Sequence, residues 1–293
     1  VHADGTFSTR PIIFAQIYIV FGFDKDYMIP CIYCLTTKRD EVLYKKIFTH
    51  LITLCANINL TFSPKRFTSD FEIATIQACQ YLFPNVKISA CFFHYSQSIW
   101  RKIQELGLSR LVSSSAREVN NDEHKKADHW ILGAIGLALI PPTLVETTWV
   151  NLMDEYTPDD YRAASQFNDY MVSTYVENGS ARFSTDIWNV YERIVNHLPR
   201  TNNHVEGYNR QMKAEFPTHP HIYQFIDILR NEHEYQHHVA EESQVQIRKR
   251  KKIHDEIDLQ LAILHEEHKN KQISDIQLAI KCGRAVKTRL FKP

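Results

Sequence analysis

Three places in the sequence set a carboxylate beside small or flexible residues: Asp4-Gly5-Thr6-Phe7, Ser69-Asp70-Phe71-Glu72, and Asn202-Asn203-His204-Val205-Glu206-Gly207. Carboxylates are hard oxygen donors suited to Mg²⁺ or Mn²⁺, and two such ions about 4 Å apart clamp the attacking and leaving oxygens of a phosphoryl transfer. Asp4, Asp70 and Glu206 are therefore candidate ligands of a two-ion site, with Asn203 as a supporting neighbour. Each also has a local reading. Asp4-Gly5 fits a tight hairpin turn, Asp70 an N-cap, and Glu206 the fourth residue of a capping box begun at Asn203. Their joint occurrence, in an element order that lets them meet, favours the shared chemistry.

The elements that must bring them together are legible as hydrophobic patterns. Pro11 to Phe21 and Tyr27 to Leu35 are rich in Ile, Tyr, Phe and Val, with the turn-like Gly22 to Asp26 between them. With the stub around Asp4 they predict three consecutive strands. Asp40 to Asn57 spaces Val42, Leu43, Ile47, Leu51, Ile52 and Leu54 as an amphipathic helix behind an acidic first turn. A short strand over Arg66 to Ser69 leads to a helix from Phe71 to Leu82, stopped by Pro84. Val86 to Phe93 predicts a further strand, followed by a helix from about Tyr95 to Leu106 that closes at Gly107. The order β-β-β-α-β-α-β-α demands a mixed sheet: an antiparallel meander plus parallel strands, with helices on both faces. Asp4 and Asp70 would then stand at adjacent strand ends.

From about Asn120 to Leu198 the strand pattern disappears. Leu144, Val145, Trp149, Leu152, Met153 and Tyr156 make one helical stripe, and Tyr161, Ala164, Phe167 and Met171 another, so an all-helical insertion is expected. Arg200 to Phe216 predicts a helix returning to the sheet with Glu206, and His221 to about Lys281 one or two long charged helices.

At 293 residues, 44% hydrophobic and 12% aromatic, the chain can bury a large core and is no disordered segment. Its start at Val1, three residues before Asp4, reads as a piece of a longer protein. The longest apolar run, Trp130 to Pro142, is too short to span a bilayer, so a soluble protein without a membrane partner is expected. Six cysteines scattered through apolar stretches predict a reducing compartment rather than a disulfide framework. Net charge is zero but uneven: Arg248 to Pro293 holds 12 basic residues against 6 acidic, and the remainder 22 against 28. An acidic body suits a carboxylate site that needs cations before it accepts phosphate. The basic end supplies attraction for DNA, or is simply a solvated helix.

Other signals weigh less. Cys31-Ile32-Tyr33-Cys34 spells a metal-binding spacing, but residues three apart in a strand point to opposite faces, which disfavours zinc. Arg248 to Lys252 reads as a nuclear import signal or a phosphate patch, and a nuclear location is expected. Trp100, Trp149 and Trp188 are expected to be core anchors rather than base-stacking platforms.

Three ordered blocks, spanning about residues 4 to 216, resemble the Mutator-like element (MULE) transposases: DGTFSTRPIIFAQIYIVFGF, SDFEIATIQACQYLFPNVKISACFFHYSQSIWRKIQELGL and RTNNHVEGYNRQMK. In that family an Asp-Gly-Thr-Phe turn carries the first acid, the second acid precedes a Cys-x-x-His signature, and the third block bears the last. The resemblance implies an RNase H-like fold with an Asp4, Asp70, Glu206 site and a helical insertion before the final acid. It divides the chain into a first core part (1–110), the insertion (111–199), a core helix with the third acid (200–220) and a helical, basic C-terminal part (221–293). It also singles out Cys91 and His94, the latter as a hydrogen-bond donor or cation toward the scissile phosphate. The implied activity is divalent-metal-dependent cleavage and strand transfer of DNA by a protein that works as a homo-oligomer. A second reading is a domesticated, catalytically silent copy that binds DNA or protein. Family members also carry an N-terminal DNA-binding part, which either lies outside this sequence or is lost.

Overall fold

The computed structural model describes residues 1–24, 27–111, 122–158, 162–196, 203–243 and 252–290. The chain runs β1 (His2–Thr6), β2 (Gln16–Asp24), β3 (Tyr27–Thr36), α1 (Glu41–Asn57), β4 (Arg66–Ser69), α2 (Ile73–Leu82), β5 (Lys87–Ala90) and α3 (Phe92–Glu105). Helices follow: α4 (Asp122–Gly136), α5 (Val145–Tyr156), α6 (Arg162–Met171), α7 (Thr185–Trp188), α8 (Tyr191–Val195) and α9 (Asn203–Glu215). Last come α10 (Ile222–Ser243), α11 (Lys252–Lys269) and α12 (Asp275–Leu290). They form two compact units, Val1–Ser89 with Asn202–Lys249, and Ala90–Thr201 with Arg250–Pro293.

The first unit is built on a five-stranded mixed sheet of order β3-β2-β1-β4-β5. β1, β2 and β3 form the antiparallel meander, and β1 pairs with β4 in parallel. β2 lies between two strands and is covered on both faces, which is why Ile17, Tyr18, Ile19, Val20 and Phe21 form an unbroken apolar run and are all buried. On one face α1 sets Tyr44 against Tyr18 and Phe48 against Phe67 of β4, with ring centroids 4.9 and 5.5 Å apart. On the other face Val205, Tyr208 and Met212 of α9, Phe216 just after it and Phe225 of α10 pack with Ile17, Ile19 and Phe21. Each such side chain contributes about 1.5–3 kcal/mol on burial, enough to fix α9 on the sheet. Asp40 caps α1, accepting from the Leu43 amide at 2.8 Å, and Glu41 sits where the helix dipole favours an anion.

Two strand limits differ from the sequence expectation. β2 begins at Gln16, not Pro11, because Pro11 starts a turn closed by the Phe14 amide on its carbonyl, and Ile12 and Ile13 are exposed. β5 ends at Ala90, and Cys91 begins α3, so the apolar Phe92 and Phe93 belong to a helix.

The second unit is helical over the described residues. Tyr95 of α3 stacks on Trp188 of α7 at 5.0 Å with 4° between the rings, and its hydroxyl donates to the Ala134 carbonyl at 2.8 Å. Trp130 of α4 lies edge-on to Phe167 of α6 and donates to Asn168 at 3.0 Å. Trp149 and Trp188 are fully buried, as core anchors. α12 crosses α4 backbone to backbone at two glycines. A Cβ on Gly136 would stand 1.8 Å from the Ala279 carbonyl oxygen, and one on Gly283 would stand 2.0 Å from that of Leu132. The far C-terminal helix thus has an interior face of Leu278, Ala279, Cys282 and Val286, rather than being solvated all round.

Candidate active site

Asp4 lies in the middle of β1, not in a turn. The hairpin-turn reading of Asp4-Gly5 therefore falls: both residues pair with β2, Asp4 opposite Ile19 and Gly5 opposite Tyr18. The Ile19 pairing assigns Asp4 to the face covered by α9. On the other face a Cβ at Gly5 would stand 2.5 Å from the Gln16 side-chain oxygen, so a larger residue there would have to displace that side chain.

β1 and β4 run parallel with His2 opposite Thr68. Two residues further along each chain, Asp4 comes level with Asp70, which stands one residue beyond the end of β4. Neighbouring strands are about 4.8 Å apart, so parallel register alone brings two residues distant in sequence into one neighbourhood. Asp70 is not the helix cap: Glu72 is the N-cap residue of α2, and Asp70 accepts from its amide at 3.3 Å.

The electrostatics there are those of carboxylates short of positive charge. Burial raises the Asp70 carboxyl above its ordinary value, opposed by the Glu72 amide and by Arg39. Glu72 is raised too, first by burial and also by the Asp70 charge, while the Tyr44 hydroxyl, donating at 2.8 Å, pulls it down. Arg39 stands 4.0 Å from Glu72 but is half exposed, where a lone ion pair is worth little. Asp4 is buried, with one oxygen accepting from the Gly5 amide at 3.0 Å and the other from the Asn209 side-chain amide at 2.7 Å.

Asn209 lies on α9, one turn beyond Glu206. Glu206 and Asn203 are both on this helix, and their side chains lie outside the described ones. The structure thus brings Asp4 and Asp70 level, and brings the helix of Glu206 onto the strand of Asp4. Cys91 and His94 belong to the second unit, Cys91 as the N-cap residue of α3 and His94 in its first turn. Burial, and secondarily Arg101, lower the His94 imidazole to about 4, so at neutral pH it is an uncharged donor or acceptor and not a cation.

Among the described side chains no group of three His, Cys, Asp or Glu residues is placed to hold a metal ion. The residues nonetheless suit a hard divalent cation. Asp4 and Asp70 are oxygen donors, burial opposes the charge on Asp70, and the carbonyl oxygen of Asn209 is buried without a hydrogen-bond partner among the described residues. Sequence reasoning missed Asn209, Arg39, Tyr44 and Glu72. Only Asn209 and Glu72 had a local signal, at three residues after Glu206 and two after Asp70.

No helix among the described residues is long and apolar enough to cross a membrane. No curated protein matches the chain. Residues 1–98, which run from β1 into α3 and contain both aspartates, match the family model of the MULE transposase domain. This part of the chain is similar to the MULE transposase domain, the domain of Mutator-like element transposases.

Proposed function

We propose that the chain is the catalytic core of a DNA transposase with an RNase H-like fold, in which Asp4, Asp70 and Glu206 hold two Mg²⁺ or Mn²⁺ ions. The observation that carries this reading is the register of β1 and β4, which sets Asp4 level with Asp70 on a sheet where Asn209 ties the Glu206 helix to Asp4. Ions bound by these acids supply electrostatic stabilisation of the charge that develops on the transferred phosphate and its attacking and leaving oxygens. The protein's own work is to keep the acids ionised, ordered and close. Asp70 must give up a proton that its burial favours, so cation binding competes with protonation there. Glu72, held by Tyr44, draws Arg39 to the same end of β4, where the guanidinium is exposed to an incoming phosphate. His94 is proposed to meet the DNA as a neutral hydrogen-bond partner.

DNA is the substrate, first as the element end whose strand is cleaved and then as the target attacked by the freed 3′-hydroxyl. The active species is proposed to be a homo-oligomer in the nucleus. The basic run from Arg248 to Lys252, proposed as import signal or phosphate patch, lies outside the described residues apart from the backbone of Lys252.

The test is Mn²⁺-dependent nicking of supercoiled plasmid DNA by Asp4→Asn, Asp70→Asn and Glu206→Gln. Each is expected to lose roughly a thousandfold or more in rate, as members of one catalytic unit do, with unchanged circular dichroism. Retained nicking by Glu206→Gln would remove that residue from the site. A wild-type protein that binds Mn²⁺ and DNA without nicking would instead support the silent, domesticated reading.

A further inference from the structure

Asn209 bonds α9 to the first strand through its side chain. Its amide nitrogen donates to Asp4 at 2.7 Å, across 205 residues of sequence. A carboxylate only accepts hydrogen bonds, so the amide orientation is decided: nitrogen toward Asp4, oxygen away. With Gly5 donating to the other carboxylate oxygen, both oxygens of Asp4 are engaged and its rotamer is fixed. Next to Asn209, Tyr208 also holds the helix on the sheet, through its hydroxyl contact with Tyr33 of β3 and an edge-on contact with Phe21 of β2. Helical spacing stacks residue 206 one turn above residue 209 on the same face. The bond that orients Asp4 therefore also sets the rotation and height of the helix from which Glu206 projects.

We propose that Asn209 is a positioning residue of the acid site: its amide nitrogen fixes the Asp4 carboxylate and registers α9, and with it Glu206, on β1. The proposal rests on the reading of Asp4, Asp70 and Glu206 as cation ligands, but the registration of α9 stands without a metal. Outer partners of this kind typically change cation affinity 10- to 100-fold, because a ligand that must first be ordered binds less well.

Two measurements on the full chain separate the two claims. In the metal-free protein, Asn209→Ala is expected to speed amide hydrogen exchange over residues 203–209 about tenfold, the loss of one hydrogen bond to a charged acceptor. In a Mn²⁺ titration followed by calorimetry, Asn209→Ala is expected to weaken affinity about tenfold, with nicking recovered at saturating Mn²⁺. Asn209→Asp, isosteric but without the donor, is expected to make Mn²⁺ affinity fall more steeply than wild type as pH is lowered, because two facing carboxylates retain a proton that competes with the cation. A merely structural residue would not change that pH profile. Exchange rates, Mn²⁺ affinity and pH profile all equal to wild type would overturn the proposal and leave the acid site standing. Faster exchange in Asn209→Ala, with no Mn²⁺ binding by the wild type, would retain the positioning of α9 and sink the cation site.

Discussion

Burial raises the Asp70 carboxyl above its ordinary value, so folding favours its protonated form relative to the unfolded chain. A raised carboxyl contributes stability that is complete below the unfolded value and is lost as pH rises through the folded one. Glu72, raised from 4.5, has the same sign. The metal-free protein should therefore lose stability as pH climbs from about 4 through the raised values. Asp70→Asn removes the ionisation and is expected to raise the melting temperature in EDTA at neutral pH by roughly 2–4 °C, about 1 kcal/mol for a chain of this size. Mn²⁺ should stabilise the wild type and leave Asp70→Asn unmoved. Scanning calorimetry with and without Mn²⁺ checks both, and a less stable Asp70→Asn protein would contradict the reading of Asp70 as a strained acid. The aspartates were legible because Asp4 and Asp70 each sit beside Gly or Ser at the edge of a β-rich run. Arg39 was not, because its partner lies 33 residues away, and Asn209, though three residues after Glu206, makes its bond across 205 residues, which no local spacing encodes.

At the scale of elements, the long and strongly periodic pieces could be read from the residues, and their ends could not. Helix α1 emerged over the expected span, with Asp40 capping, but it buries Tyr44, Phe48 and Leu51 and leaves Val42 and Leu54 exposed; α5 and α6 emerged on their expected stripes, Tyr161 lying outside the described residues. The failures lie where an apolar run serves two elements. Pro11 to Phe21 is half turn and half strand, and Val86 to Phe93 half strand and half helix; hydrophobicity alone cannot place the break. After His221 three helical segments are found among the described residues where one or two helices were expected, and residues 244–251 between the first two lie outside the described ones. The last break was signalled: Ser274 and Gln277 form a capping box, each side chain bonding the other's backbone amide at 3.3 and 3.1 Å, behind Lys271 at φ +58°. What that helix packs on could not be read, since Gly283 looks like a helix weakener until its approach to the Leu132 carbonyl is seen. Gly283→Val should force α12 off α4 and cost about 3 kcal/mol or more, beyond ordinary overpacking because the obstacle is backbone. Urea unfolding measures this; helix propensity alone slightly favours Val over Gly, so a gain or a loss below about 1 kcal/mol would contradict the close crossing.

For the whole molecule, the first unit is closed by a segment that returns after residue 201, so the strand with Asp4 and the helix with Glu206 meet only once the chain between them has been made. The order of elements from β1 to α3 was readable because alternating patterns dictate a mixed sheet; that α12 packs on α4 was not, because the two helices are distant in sequence. The zero net charge, with an acidic body before Arg248, fits a molecule whose attraction for DNA is completed by cations. The most direct measurement is an anomalous difference map from crystals of the full chain soaked in Mn²⁺. Two peaks about 4 Å apart, within roughly 2–2.5 Å of oxygens of Asp4, Asp70 and Glu206, are predicted. Manganese bound elsewhere, with the Glu206 carboxylate turned away from both aspartates, would contradict the transposase site.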